Sequence, residues 1–77
     1  MKIQILGTGC AKCKKLEENA KQAVNKLHLD AQVEKIEDLD QIMNMGVMMT
    51  PALAFDGTVK SAGKLLSVDE IIKLLGG

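Results

Sequence analysis

The chain has 77 residues, of which 47% are hydrophobic and 26% are charged. This length supports one domain, spanning residues 1–77, and the composition is that of a folded protein rather than a disordered chain. Ten basic and ten acidic residues give a formal net charge of zero. That balance argues against a nucleic-acid binder, which needs a basic face to neutralise phosphates. With no Trp, no Tyr and one Phe, the aromatic platform of a single-strand binder is missing as well.

The chain shows no sign of a membrane or export segment. No apolar run approaches the roughly 20 residues that span a bilayer, and Met1-Lys2 leads directly into an apolar strand rather than into a signal peptide. We therefore expect a cytoplasmic monomer with no membrane association. In a reducing compartment, a closely spaced pair of cysteines is more often catalytic or metal-binding than structural.

The first predicted elements are a strand, a long helix and a second strand. Ile3 and Ile5 alternate with Gln4, which indicates a short strand over residues 3–6, in a central position. Residues 31–36 form a weaker strand whose charges suit a sheet edge. Strand, helix and strand of this kind make a right-handed unit with parallel strands.

The long helix is predicted from Ala11 to about Leu27, because apolar residues recur there at spacings of three and four. Cys13 lies on this core-facing stripe, whereas Cys10 precedes the helix, where backbone N–H groups are free. His28 stands alone at the helix end and is expected to be a surface imidazole. The stripe consists of Cys13, Leu16, Ala20, Val24 and Leu27, widened by Ala23.

A second, short helix is predicted after the edge strand. Asp38 or Asp40 can cap it, and it should end near Met45, with Gly46 as the stop. Its apolar residues are expected to face inward; these are Leu39, Ile42 and Met43.

The last third predicts a hairpin and a final helix. Asp56-Gly57 is a strong tight-turn signal between a strand over residues 52–55 and a strand over residues 58–61. Ser67 and Glu70 have the spacing of a capping box, and Gly76-Gly77 should end the helix that it opens. The full order is β-α-β-α-β-β-α, an α/β fold with a mixed four-stranded sheet flanked by helices.

Both cysteines of the chain lie in one Cys-x-x-Cys motif, directly after Gly7-Thr8-Gly9. Such a pair is either a redox dithiol or a soft-metal site. The partial positive charge of a helix N-terminus favours the thiolate of Cys10. We therefore predict that Cys10 attacks a client disulfide and that the buried Cys13 resolves the mixed disulfide.

The main alternative is a metallochaperone-like protein that binds Cu(I) or Zn(II) through the same two thiolates, Cys10 and Cys13. A metal-binding ferredoxin-like domain follows the order β-α-β-β-α-β, with its hairpin after the first helix. Here the hairpin comes late and the chain ends in an amphipathic helix, which favours redox chemistry. A third alternative is an interaction module that uses only a client groove.

Several segments together resemble the thioredoxin–glutaredoxin superfamily. Cys10-Ala11-Lys12-Cys13 follows the first strand, and Thr50-Pro51 precedes the third. The chain is most similar to the small prokaryotic thioredoxin-like redox-active disulfide proteins. The segments that carry this similarity are Gly7-Thr8-Gly9-Cys10, Gly46-Val47-Met48, Thr50-Pro51-Ala52-Leu53 and Ser61-Ala62-Gly63.

The resemblance implies a thioredoxin-like fold and a thiol–disulfide oxidoreductase with no cofactor beyond a redox-active Cys10–Cys13 disulfide. Its partners would be a disulfide-containing client protein and an electron donor like thioredoxin reductase. Pro51 would be a cis-proline packed beside the cysteines, leaving the backbone of Thr50 free to pair with an extended client. The residues implied to support or bind the substrate are Gly9, Ala11, Lys12, Met49, Thr50, Pro51 and Gly63.

Three features of the sequence, at four positions, depart from the wider superfamily. Gly9 stands where thioredoxins proper have a tryptophan, and Ala-Lys replaces their Gly-Pro between the cysteines. Gln4 occupies the position of their buried aspartate. These differences bear on the redox potential, on the reductase and on any use of glutathione.

Four methionines cluster before Pro51. Methionines are flexible gap-fillers, so packing in the core and the loop is the first expectation. A pliable client-binding rim beside Cys10 is the second, and a thioether copper site is the third. The four are Met43, Met45, Met48 and Met49.

Overall fold

Within residues 1–76, four strands and three helices follow one another in the predicted order β-α-β-α-β-β-α. The structure is a computed structural model that describes residues 1–76, so the expected helix stop at Gly77 lies outside the described residues. This order and the mixed sheet confirm the predicted thioredoxin-like α/β class. The elements are β1 (Lys2–Leu6), α1 (Ala11–Leu27), β2 (Gln32–Ile36), α2 (Leu39–Asn44), β3 (Ala52–Phe55), β4 (Thr58–Ala62) and α3 (Val68–Leu74).

The sheet has the strand order β2-β1-β3-β4, with β1 parallel to β2 and antiparallel to β3. The predictions of a central first strand and an edge second strand are therefore confirmed. Leu6, at the end of β1, pairs with Ile36 at the end of β2 and with Ala52 at the start of β3. Consequently the loops after β1 and β2 and the loop before β3 meet at one end of the sheet, where β4 also ends, and the Cys-x-x-Cys motif lies in the first of them.

The sheet has apolar residues on both faces because successive side chains of a strand point to opposite sides. Ile3 and Ile5 of β1 pack with α1 and α3, and Leu6 packs on the other face with Ile42 of α2. β3 lies between β1 and β4, and all four of its residues are buried. The two faces together hold α1 and the loop before β3 in fixed positions at the same end of the sheet.

The β3–β4 hairpin turns at the other end of the sheet, as Asp56-Gly57 predicts. Both turn residues have positive φ, 51° for Asp56 and 85° for Gly57, which is the geometry of a tight hairpin turn. The side chain of Gln4 accepts a hydrogen bond from the Gly57 N–H at 2.8 Å, and Asp56 Oδ1 accepts one from the Lys2 N–H at 2.7 Å. Gln4 therefore secures the hairpin, away from the cysteines.

Helix α2 differs from the sequence-based expectation. Ile42 is buried, but Leu39 is 60% exposed and Met43 is 69% exposed, so the prediction that all three face inward is wrong for two of them. The helix has only six residues, with Asp38 as its N-cap. Ile42 alone makes the contact with the sheet, and the outer side of α2 keeps an exposed apolar surface.

The buried amide of Asn19 joins α1 to the segment before α3. Its Nδ2 donates to the Leu66 carbonyl at 2.9 Å, in a buried position. Helix α3 then begins with the predicted capping box of Ser67 and Glu70. The Ser67 backbone N–H donates to the Glu70 carboxylate and lowers the pKa of that carboxyl.

We expect Asn19→Ala to lower the free energy of unfolding by about 1–3 kcal/mol, because it leaves the Leu66 carbonyl buried without this donor. Urea unfolding followed by circular dichroism measures the change. Asn25→Ala is the matched control, since Asn25 lies on the same helix with an exposed side chain. An equal loss in both variants would contradict a specific role for the Asn19 amide.

Candidate functional site

Cys10 and Cys13 lie at the start of α1 in contrasting surroundings. Cys10 is the N-cap residue, with an extended backbone (φ −67°, ψ 167°), and its thiol is exposed. Cys13, one turn further on, faces the sheet and is only 4% exposed. The Cys13 backbone N–H donates to Cys10 Sγ at 3.2 Å. The motif thus presents one sulfur to solvent and keeps the other directly behind it.

The same arrangement separates the acidities of the two thiols. Hydrogen bonds that the Cys13 side chain and the Cys13 backbone N–H donate to the Cys10 sulfur lower the pKa of Cys10. Burial raises the pKa of Cys13, and its hydrogen bond to Cys10 acts in the same direction. At neutral pH the exposed sulfur is therefore the more nucleophilic one, since the thiolate is the reactive species.

Alkylation with iodoacetamide should reveal this order. We expect the rate for Cys10 to reach half its maximum at a pH below that of an ordinary thiol, and the rate for Cys13 at a higher pH. Mass spectrometry of proteolytic fragments from the Cys13→Ser and Cys10→Ser variants assigns each rate to one residue. Midpoints in the opposite order would contradict the assignment of the two roles.

Gly7 is a component of the site that was not among the residues predicted from the sequence. It is buried, and a Cβ placed on it would collide with Cys13 Sγ and lie 3.2 Å from Cys13 Cβ. Its φ is not positive, so the backbone does not require glycine; the neighbouring sulfur does. Its sequence signals were a position three residues before Cys10, which resembles that of an ordinary turn residue, and its place in the Gly7-Thr8-Gly9-Cys10 segment that carries the family resemblance.

The loop before β3 lies beside Gly7 on the other side. The Thr50–Pro51 peptide bond is cis, with Pro51 buried and Thr50 exposed. The Thr50 side chain is 3.8 Å from the position of a Cβ on Gly7, so Thr50 and Cys13 flank the same glycine. The structure thus brings Thr50 and Pro51 to the cysteines, across 37 residues of sequence from Cys13.

Gly63 and Met49 extend this surface. The Gly63 N–H donates to the Pro51 carbonyl at 2.9 Å. Gly63 has φ +77°, and a Cβ on it would approach Met49 Cβ to 3.1 Å. Met49 itself is 66% exposed. Gly63 and Met49, which the resemblance implied as substrate-binding residues, therefore lie together on an exposed surface next to Thr50-Pro51.

The remaining predicted residues surround Cys10. Gly9 has φ +87°, which favours glycine there, and Ala11 and Lys12 are exposed in the first turn of α1. Glu37, which was also not predicted as a site residue from the sequence, places its carboxylate 3.7 Å from the position of a Cβ on Gly9. The sequence signal for Glu37 was its position directly after β2. The end of β2 lies beside the end of β1, which leads into the Cys-x-x-Cys motif.

A groove of about 590 Å³ continues from Thr50 along α2. Three of the clustered methionines are exposed, Met48 by 96%. The expectation that they pack into the core or the loop is wrong for Met43 and Met48, whereas Met49 packs against Gly63 of a neighbouring loop. Met45 is half-buried against the cluster of Ile42. The groove is lined by Leu39, Ile42, Met43, Gly46, Val47, Met48 and Thr50.

Residues 1–76 contain no group of three or more His, Cys, Asp and Glu side chains arranged to hold a metal ion. In the same residues, none of the helices is long and apolar enough to cross a membrane.

Comparisons with known proteins identify the family of the chain. The family model of the thioredoxin domain matches residues 1–76. A thioredoxin of Methanothermobacter thermautotrophicus is 52% identical over 75 residues, which are 97% of each chain. A thioredoxin of Methanocaldococcus jannaschii is 45% identical over 69 residues, 90% of this chain and 79% of that protein.

The chain belongs to the thioredoxin family, and the resemblance drawn from its sequence is confirmed. It is a thiol–disulfide oxidoreductase with its cysteines spaced as Cys-x-x-Cys. These matches do not favour the soft-metal alternative that the motif alone left open.

Proposed function

We propose that this protein reduces or exchanges disulfides of client proteins or small molecules, with Cys10 as the nucleophile and Cys13 as the resolving thiol. The observation that carries the assignment is the contrast between the two sulfurs. Cys10 is exposed, and its Sγ accepts a hydrogen bond from the Cys13 backbone N–H at 3.2 Å, whereas the Cys13 side chain is buried behind it. A client can reach only the first sulfur, so the second acts after a bond to Cys10 has formed.

The proposed reaction has two exchange steps. The Cys10 thiolate attacks one sulfur of a client disulfide, the client S–S bond breaks, and the released client thiolate takes a proton from solvent. Cys13 then loses its proton and attacks Cys10 Sγ, which forms the Cys10–Cys13 disulfide and releases the second client thiolate. The second client thiolate takes up the proton that Cys13 has lost. The client thus gains two electrons and two protons: the protein supplies both electrons and one proton, and solvent supplies the other proton.

The pair of cysteines is the only redox group that the proposal requires. A donor resembling thioredoxin reductase would return the two electrons, and a cytoplasmic location would keep the dithiol reduced between cycles. The exposed backbone of Thr50 would pair with the extended client while Cys10 reacts. The other residues proposed to support or bind the client are Gly9, Ala11, Lys12, Met49, Pro51 and Gly63.

A redox titration tests the proposal. The protein is equilibrated with mixtures of reduced and oxidised dithiothreitol, with and without Cu(I) or Zn(II), and its free thiols are counted by alkylation and mass spectrometry. We expect one reversible two-electron transition that joins Cys10 to Cys13. Failure to oxidise, combined with stoichiometric metal binding, would overturn the proposal.

A further inference from the structure

We propose that the groove along α2 receives a large apolar side chain of the client protein, on a segment that also carries positive charge. This inference rests on the proposed disulfide reduction and specifies its substrate class. The occupant is an extended protein segment that contains the reacting cysteine. Three properties of the groove support it: its apolar walls, its position beside the dithiol and the acidic residues along one side.

The walls of the groove are apolar and unusually exposed. Leu39, Met43 and Met48 are 60%, 69% and 96% exposed, and all three line the groove. Its volume of about 590 Å³ accommodates a large side chain. Covering these residues with an aliphatic or aromatic side chain removes apolar surface from water on both partners, which favours binding. Methionine side chains also adapt to differently shaped apolar partners.

The near end of the groove lies beside the dithiol, on the side of the resolving sulfur of Cys13. Thr50 lines its near end, and the Thr50 side chain lies beside Gly7, against which Cys13 Sγ packs. A client that reaches Cys10 and pairs with the backbone of Thr50 is therefore led towards α2. Successive side chains of an extended segment point to opposite sides. A client side chain close in sequence to the reacting cysteine therefore points into the groove.

Acidic residues accompany one side of the groove, at the start of α2. Residues 36–59 contain no Lys, Arg or His but four acidic residues, three of them near the start of α2. Glu37 lies beside Gly9, and Asp40 is three residues before Met43, hence next to it on the helix surface. The ion pairs found within residues 1–76 involve neither carboxylate.

This charge selects among disulfides. A basic client segment is attracted to the free carboxylates of Glu37 and Asp40, whereas an acidic one is repelled. Glutathione carries two carboxylates and one ammonium per unit and has no large apolar side chain. The groove therefore fits a basic, apolar protein segment and disfavours glutathione disulfide.

The experiment uses four short peptides, each joined to its own copy through a single cysteine, so that attack on either sulfur is equivalent. They combine Leu or Ser near the cysteine with Lys or Glu flanks. The second-order rate of reduction by the reduced protein is compared with that of 2-hydroxyethyl disulfide, a small neutral reference. We expect the Leu/Lys peptide to react about tenfold faster than the Ser/Lys peptide and about tenfold faster than the Leu/Glu peptide at low salt.

Two double variants assign the preferences to the groove. L39A/M43A should remove most of the preference for the Leu peptides. E37Q/D40N should remove most of the preference for the Lys peptides and most of the salt dependence of that preference. The controls are Leu29→Ala and Asp30→Asn, which follow α1 at the end opposite Cys10. All these positions are exposed, and circular dichroism verifies that each variant folds.

The outcomes separate this inference from the proposed function. Equal rates for the four peptides, with normal reduction of 2-hydroxyethyl disulfide, would overturn the inference and leave the function standing. Preferences that survive in the double variants would also overturn it, as would a dimer of the protein that buries the groove. No reduction of any disulfide would overturn the proposed function itself.

Discussion

Replacing Cys10 with serine should reduce the catalysed reduction of disulfides to the background rate of dithiothreitol alone. A hydroxyl group is not ionised at neutral pH and does not exchange with disulfides, and the remaining Cys13 thiol is buried with a raised pKa. Cys13→Ser should instead preserve the first step and stop the second. The mixed disulfide between Cys10 and the client then accumulates, because no neighbouring thiol resolves it.

Turnover assays with dithiothreitol as the electron source, and mass spectrometry of the adduct, measure the two effects. Asn25→Ser serves as the control, since it introduces a hydroxyl on the exposed surface of the same helix without removing a thiol. A stable adduct on Cys13 in the Cys10→Ser variant would reverse the roles that the burial of the two sulfurs assigns.

Gly7→Ala should damage both stability and the second exchange step. The added methyl group would overlap Cys13 Sγ, so either the sulfur or the loop between β1 and α1 must move. Overpacking of a buried position costs about 1–3 kcal/mol of unfolding free energy. A displaced Cys13 also attacks Cys10 less readily, so the mixed disulfide should last longer than in the unaltered protein.

A double-mutant cycle tests whether the sulfur is the cause. Urea unfolding is measured for Gly7→Ala, for Cys13→Ala and for the two combined. The cost of Gly7→Ala should be smaller when Cys13 is alanine, although Cys13 Cβ remains 3.2 Å from the new atom. The neighbouring exposed Thr8→Ala is the control. Additive costs would show that Gly7 is required for a reason unrelated to the sulfur.

Elements defined by local signals could be predicted from the sequence. The helix from Ala11 to Leu27 follows from apolar spacing, the hairpin from Asp56-Gly57, and the start of α3 from the capping box, and all three are present. The position of Cys13 on the buried side of α1 follows from the same spacing. These features depend on residues within a few positions of one another, so a single sequence contains the information for them.

Features that depend on contacts distant in sequence could not be predicted in this way. Leu39 and Met43 have the spacing of buried residues, but the six-residue helix α2 contacts the sheet through Ile42. Asn19 is polar, yet it is buried because the Leu66 carbonyl, 47 residues away, accepts its hydrogen bond. Gly7 resembled a turn residue, since the sequence does not reveal how closely a sulfur approaches it.

The direction of β1 determines how the protein can be attached to other molecules. The strand runs from Lys2 to Leu6 and ends just before the Cys-x-x-Cys loop, so Met1 lies at the opposite end of the sheet. Five residues at about 3.3 Å each place about 16 Å of strand between Met1 and the loop. A tag, a fluorescent label or a solid support fixed ahead of Met1 therefore leaves the dithiol accessible. The protein can thus be immobilised as a reusable reductant through its first residue.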